Sequence, residues 1–80
     1  MGTSGSKTSP EALFGKEVVR LRKRLGVSQE ELAFRAEVHR TYISQIERGL
    51  KSPTLNMILK LSRGLKASAS RLVAAVERQL

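Results

Sequence analysis

The stretch SQEELAFRAEVHRTYISQIERG, residues 28–49, decides how this chain folds, because it holds two short helical patterns separated by a break. Ser28 and Glu31 have the spacing of a capping box, a pattern in which each side chain bonds a free backbone N–H at the start of a helix. Apolar residues then recur at helical spacing on both sides of Glu37. Gly49, a residue type that commonly ends helices, closes the second pattern. The stretch therefore predicts two short helices packed together across a tight turn.

Three further helical patterns surround this pair. Each opens next to a serine or threonine that can cap a helix, and their predicted bounds are Pro10 to Gly26, Thr54 to Gly64 and Ser68 to Leu80. Residues 1–9 are small and polar without periodicity, a composition also typical of a cloning remnant, so we expect a disordered segment there and one folded domain over residues 10–80. The predicted fold is all-α, a compact five-helix bundle.

The chain carries 15 lysines and arginines against seven glutamates and no aspartate, for a formal net charge of +8. This basic balance favours a polyanionic partner, with a merely solubilising surface as the alternative. Cysteine is absent and His39 is the only histidine, so thiol, metal and acid–base chemistry have almost no residues to use. We therefore expect no enzyme activity, no metal and no cofactor. No apolar run approaches the roughly 20 residues of a membrane span, which predicts a cytoplasmic protein without a membrane partner.

The second helix of the pair, from about His39 to Arg48, has one apolar and one polar face. On a wheel of about 100° per residue, Ile43 and Ile46 fall on one side. The other side carries, within an arc of roughly 140°, Arg40, Thr41, Ser44, Gln45 and Arg48. Guanidinium, hydroxyl and carboxamide groups can read base edges in the major groove of DNA, which admits a helix. An ordinary solvated face is the alternative.

The helix before it favours the first of these interpretations. Two helices joined by a tight break, with apolar contacts from Ala33, Val38, Ile43 and Ile46, form a helix-turn-helix. Gln29 lies at the N-terminus of the first helix, where its amide and the helix dipole both favour a phosphate. The residues thus predict double-stranded DNA as the partner.

Three segments, LGVSQEELA (25–33), RTYISQIERG (40–49) and SPTLNMILKLSRGL (52–65), resemble the lambda repressor/Cro-like (XRE-type) helix-turn-helix family. The resemblance covers Val18 to Leu72 and implies a sequence-specific transcriptional regulator, a repressor or an activator, inside a bacterial cell or encoded by a phage. The small size, the RTYIS segment and the single appended C-terminal helix look most like controller proteins of restriction–modification systems.

The resemblance also implies roles for individual residues. The positions that face the bases match Arg40, Thr41, Ser44 and Gln45, and the positions that contact phosphate match Gln29, Arg48 and Lys51. Tyr42, at the edge of the polar arc, is counted with the phosphate contacts, the alternative being that it packs on the edge of the core. Glu47 matches an acidic residue that pairs with an arginine of the first helix, here Arg22, in a structural ion pair.

Three residues depart from the family pattern. Glu37 occupies the turn position where a residue tolerant of positive φ is usual, and a left-handed conformation there costs about 1–2 kcal/mol. Leu50 stands where a polar residue is common. Phe34 lies off the buried face of its helix, and we expect it to pack under a neighbouring side chain, the alternative being a contact with DNA.

The last helical pattern predicts a partner subunit. Its apolar stripe consists of Leu72, Val73, Val76 and Leu80. A domain this small gains stability by burying such a stripe against a second copy, the alternative being that the stripe caps the core of a monomer. A homodimer would address a pseudo-palindromic operator with half-sites about 34–36 Å apart. The competing class of function is an antitoxin-type or other protein-interaction module, and no small-molecule ligand is indicated.

Overall fold

The computed structural model describes residues 9–80, which form five α-helices joined by short turns. The helices are α1 (Pro10–Leu25), α2 (Gln29–Ala36), α3 (Arg40–Glu47), α4 (Leu55–Leu65) and α5 (Ala69–Glu77). The described residues include no strand, and the predicted all-α five-helix bundle is confirmed. Residues 1–8 of the predicted disordered segment lie outside the described residues. Over the described part of the chain, no helix is long and apolar enough to cross a bilayer.

Side-chain caps fix where each helix begins. Four caps are hydroxyl groups that accept a backbone N–H three residues on, at 3.0 to 3.2 Å, and they belong to Ser9, Ser28, Thr54 and Ser68. Each such cap contributes about 0.5–2 kcal/mol, because it satisfies an N–H that the helix itself leaves free. α3 begins differently, since Nδ1 of His39 accepts from the backbone N–H of Thr41 at 3.1 Å. His39 is therefore a cap of α3.

A single core holds the helices together. α1 packs against α3, α4 and α5, while α2 packs against α3 and α4. The largest fully buried side chains come from every helix, and they are Val18, Leu32, Ile43, Ile46, Leu61 and Leu72. Burying one such side chain contributes about 1.5–3 kcal/mol. Because these residues share one cluster, the orientation of α3 depends on all of the other helices.

Two glycines inside helices allow neighbouring backbones to approach closely. A Cβ added at Gly15 in α1 would lie 2.4 Å from the carbonyl oxygen of Ile46 and 2.8 Å from that of Glu47. A Cβ added at Gly64 in α4 would lie 3.0 Å from the Leu32 side chain. The prediction that Gly64 ends α4 is wrong, because the helix continues past it and the glycine serves the crossing with α2.

The apolar stripe predicted along α5 is divided between the core and the surface. Leu72 is fully buried, so its side chain has no surface left for a partner subunit, and its assignment to a dimer interface is corrected. α5 ends at Glu77, and the N–H of Leu80 then donates to the carbonyl of Glu77 at 3.2 Å, across three residues instead of four. This tighter turn takes Leu80 off the helical face and leaves it 74% exposed.

Phe34 is also placed differently from its expectation. Its side chain is 80% exposed, so the prediction that it packs under a neighbour is wrong. α2 buries the face formed by Leu32, Ala33 and Ala36, and Phe34 lies roughly opposite that face at about 100° per residue.

Candidate nucleic-acid interface

The turn between α2 and α3 sets the direction in which α3 leaves its neighbour. Glu37 adopts the left-handed conformation, with φ 59° and ψ 45°. Its N–H donates to the carbonyl of Phe34 at 3.2 Å, and the N–H of Val38 donates to that of Ala33 at 3.0 Å. This pair of bonds is a Schellman helix end. Residue 37 therefore departs from the family pattern only in residue type, since Glu37 still forms the left-handed turn. This conformation costs about 1–2 kcal/mol.

α3 has one face in the core and one face toward solvent. Ile43 and Ile46 are fully buried. On the outer face, Arg40, Thr41 and Arg48 are exposed, while Ser44 and Gln45 are half-buried. None of the hydrogen bonds among residues 9–80 uses the side chains of the four predicted base-contacting residues. Their donors and acceptors are therefore available to a ligand.

A buried network ties the end of α3 to α1 and α2. Nε of Arg22 donates to Glu47 Oε2 at 2.6 Å, and its second terminal nitrogen donates to Oε1 at 3.1 Å. Gln29 Nε2 donates to the same Oε1 at 2.8 Å. Arg22 also donates to the carbonyl of Val27 at 3.0 Å. The Glu47 side chain is 5% exposed and that of Arg22 is 13% exposed, so the network is a structural clamp.

The predicted phosphate contacts lie around this clamp. Gln29 is half-buried at the N-terminus of α2, and its bond to Glu47 brings that N-terminus to the last residue of α3. Arg48 follows directly and is exposed, with its Nε 3.4 Å from the Ser44 carbonyl. Lys51 is exposed two residues after Gly49, which has φ 74°. Backbone N–H groups, an amide and two cations thus meet at one end of α3, a combination suited to anions.

Tyr42 contributes to the core edge. Its side chain is half-buried and packs against the core cluster, and burial raises the pKa of its hydroxyl above the ordinary value. The ring of Tyr42 therefore packs on the edge of the core. A contact between its hydroxyl and a DNA phosphate stays a prediction.

Gly15 positions the site and was missed by the sequence analysis. It allows the backbone of α1 to touch that of α3 at the Ile46 and Glu47 carbonyls, next to the clamp. A glycine between good helix formers is a signal, since glycine in a helix interior costs about 0.5–1 kcal/mol relative to alanine. Such a glycine often marks a close approach of two backbones.

The side chains on and around α3 can form hydrogen bonds and ion pairs with a ligand. Within residues 9–80 no group of three or more histidine, cysteine or acidic side chains could hold a metal ion. The outer face of α3 carries guanidinium and carboxamide groups. Each can form two hydrogen bonds with one base, guanidinium with guanine and carboxamide with adenine.

Known proteins share this pattern of residues and this fold. Residues 18–72 match a family model described as helix-turn-helix. Control protein C.BamHI of Bacillus amyloliquefaciens is 48% identical over 54 residues, which cover 66% of this chain and 67% of that protein. Control protein C.MunI of Mycoplasma sp is 36% identical over 67 residues, or 82% of this chain and 90% of that one. The crystal structure of the restriction-modification controller protein C.AhdI from Aeromonas hydrophila matches with a TM-score of 0.75 and 37% identity, covering 78% of this chain and 94% of that chain.

Proposed function

This chain belongs to the helix-turn-helix family, and from that premise we propose that it is a sequence-specific DNA-binding transcriptional regulator acting as a homodimer on a pseudo-palindromic operator. α3 enters the major groove and reads base edges with Arg40, Thr41, Ser44 and Gln45. Gln29, Arg48 and Lys51, with the Tyr42 hydroxyl at the margin, contact phosphates and set the register on the duplex.

One observation carries this proposal. The outer face of α3 holds hydrogen-bonding side chains without partners among residues 9–80, and the same helix is anchored at its end by the Arg22–Glu47–Gln29 clamp. A reading helix needs both properties. Free polar groups give discrimination between bases, and a rigid support keeps the loss of conformational entropy on binding small.

Apolar surface on α4 and α5 supports the dimer. Val73, 47% exposed, and half-buried Val76 line an open groove of about 170 Å³ together with Phe14 and Ile58. Leu80 is exposed beyond the end of the helix. We place the second copy against this surface, with Val73, Val76 and Leu80 as its contacts from α5 and the turn after it. Each methylene buried there contributes about 0.8 kcal/mol.

The relatives narrow the class of regulator. Two of them are named control proteins, and a similar solved structure is named a restriction-modification controller protein. We therefore propose that this chain is a controller protein of the same kind.

Selection of bound sequences from random duplex DNA tests the proposed function. The expected result is a consensus with two related half-sites whose centres are about 34–36 Å apart, one helical turn. The control is the Arg40→Ala, Gln45→Ala variant, which keeps the clamp and removes two reading side chains. Recovery of no consensus by the unmodified chain would overturn the regulator proposal and favour a protein-interaction module.

Sedimentation equilibrium tests the dimer separately. Val73→Asp places a charge on the proposed interface, whereas Lys60→Asp on α4 serves as a control outside the residues proposed for it. We expect the Val73 variant to sediment as a monomer at micromolar concentration while its circular dichroism remains helical. An unchanged dimer mass for Val73→Asp would move the interface elsewhere.

A further inference from the structure

His39, the single histidine of the chain, lies at the start of the proposed reading helix. Its Nδ1 accepts the backbone N–H of Thr41 at 3.1 Å. A ring nitrogen that accepts a hydrogen bond carries no proton, so the proton of the neutral imidazole lies on Nε2. The cap of α3 therefore fixes the tautomer of His39 and makes Nε2 a donor.

This donor has no partner in the described part of the chain. His39 is exposed, and the bond from Thr41 is the only hydrogen bond that its ring makes among residues 9–80. The ring also forms no ion pair with a carboxylate of those residues. The Nε2–H group is thus free to donate to a ligand.

Capping alone does not require an imidazole. The other four helices begin at a serine or a threonine, which are preferred cap residues. A serine at position 39 could accept the same N–H, but it has no second donor that projects beyond the cap. The two nitrogens of imidazole lie on different sides of a rigid ring. The bond at Nδ1 therefore also fixes the direction of Nε2–H, which lowers the entropy lost when this group binds.

The position of His39 places this donor beside the proposed base contacts. His39 directly precedes Arg40, and its ring holds the backbone N–H of Thr41. In helix-turn-helix complexes the N-terminal residues of the second helix contact base edges in the major groove. An acceptor on a base is therefore the expected partner of Nε2–H. A phosphate could accept the same bond, but such a contact carries no sequence information.

We propose that His39 is a further specificity-determining residue of this regulator, whose Nε2–H donates to a base acceptor in the major groove. The inference rests on the function proposed above, since it requires α3 to lie in that groove. Guanine, adenine and thymine each present an acceptor there, whereas cytosine presents a donor. His39 thus selects against cytosine at one position of each half-site.

Selection of bound sequences by the His39→Ser variant tests the proposal. Serine keeps a cap of the kind that Ser28 and Ser68 form and removes the Nε2–H donor. We expect the variant to accept cytosine at one position of each half-site where the unmodified chain excludes it. Affinity for the preferred operator should fall about three- to tenfold, the effect of one hydrogen bond between neutral groups. The slope of log affinity against log salt should not change, because no charge is removed.

Two further variants separate base reading from capping. His39→Ala removes both the donor and the cap, so it should lose the same base preference and also melt at a lower temperature. Ser68→Ala removes the cap of α5, and should lower the melting temperature while every base preference is kept. Relaxation of the same position by Ser68→Ala would show that the effect comes from stability and would overturn the proposal.

The results for His39→Ser also distinguish this inference from the proposed function. A consensus that still excludes cytosine everywhere would overturn the role of His39 and leave the regulator proposal intact. An equal loss of affinity for all sequences would assign the bond to a phosphate and overturn base reading. Failure of the unmodified chain to select any consensus would overturn both proposals.

NMR of the imidazole nitrogens tests the tautomer directly. With one histidine in the chain, the ring signals need no separate assignment. At a pH where the ring is neutral, we expect the proton on Nε2. A neutral ring that carries its proton mainly on Nδ1 would contradict the cap and overturn the assignment of Nε2 as the donor.

Discussion

The Arg22 guanidinium donates two hydrogen bonds to the Glu47 carboxylate, at 2.6 and 3.1 Å, across 25 positions of sequence. This pair joins α1 to the end of α3, and Gln29 adds a third bond from α2 at 2.8 Å. The acidic residue next to the reading face is thus part of the support of α3. The pairing also neutralises the Glu47 carboxylate, whose side chain is only 5% exposed. The surface proposed to meet phosphates therefore carries no free negative charge from this residue.

Glu47→Ala tests the importance of this pair for stability. Removing one partner of a buried pair leaves the other charge without compensation, and we expect a loss of about 3–5 kcal/mol in the free energy of unfolding, measured with urea. The control is Glu31→Ala, because Glu31 pairs with Arg35 at 3.1 Å on the surface. That variant should lose only about 0–1 kcal/mol. Similar losses in both variants would show that the Arg22–Glu47 pair is no stronger than a surface pair.

Gly15→Ala tests the close crossing of α1 and α3. The added Cβ would lie 2.4 Å from the Ile46 carbonyl oxygen, so the two helices must separate. We expect a loss of about 1–3 kcal/mol in thermal or urea unfolding, the usual range for overpacking. Lys16→Ala, at an exposed neighbouring position of α1, should change stability by less than about 0.5 kcal/mol. A Gly15→Ala variant as stable as the unmodified chain would contradict the crossing.

Glu37→Gly tests the left-handed turn between α2 and α3. The substitution relieves strain of about 1–2 kcal/mol and loses part of that gain to the greater freedom of glycine in the unfolded chain. We expect a net stabilisation of about 0.5–1 kcal/mol. Glu30→Gly, in the same helix with ordinary helical geometry, should instead destabilise by about 0.5–1 kcal/mol. If Glu37→Gly and Glu30→Gly destabilise the protein equally, the left-handed conformation of Glu37 is not strained.

Glu17 predicts a dependence of stability on pH. Hydrogen bonds from Arg20 lower the pKa of Glu17 below its ordinary value of 4.5, and they outweigh the burial that would raise it. A lowered folded pKa means that the contribution of Glu17 is present above the unfolded pKa and is lost as the pH falls through the folded value. The free energy of unfolding of Glu17→Gln should therefore fall less than that of the unmodified chain between about pH 5 and about pH 3. Arg20→Gln should also reduce the change in the free energy of unfolding over this pH interval. If the dependence on pH is unchanged in both variants, the Glu17–Arg20 pair is not its cause.

Arg40→Ala and Lys51→Ala separate base reading from phosphate contact on the operator found by selection. We expect Arg40→Ala to lose about 1–3 kcal/mol of binding free energy and to relax preference at one base position. Lys51→Ala should weaken binding to all sequences alike and lower the slope of log affinity against log salt by about one. Binding is measured by fluorescence anisotropy at several salt concentrations. An Arg40 variant that keeps its base preferences would remove that residue from the reading face.

Much of the candidate site could be predicted from local patterns. Ser28 and Thr54 cap helices as expected, since a cap involves residues only three apart. The outer face of α3 followed from helical periodicity, because Ile43 and Ile46 identify its inner face. The placement of Phe34 was wrong because whether a residue off the helical stripe finds a neighbour depends on other helices. Leu80 left the stripe of α5 for a local reason, since the helix ends at Glu77 and a tighter turn follows.

Local sequence patterns predict the five helices, four of their caps and the polar side chains on α3, because these properties depend on residues within one or two turns of each other. Three relationships became visible only in the folded chain: Gly15 lets α1 touch α3, Gln29 shares Glu47 with Arg22, and Leu72 belongs to the core. The physical reason is that these relationships depend on how segments far apart in the chain pack around a shared core, which local periodicity does not encode.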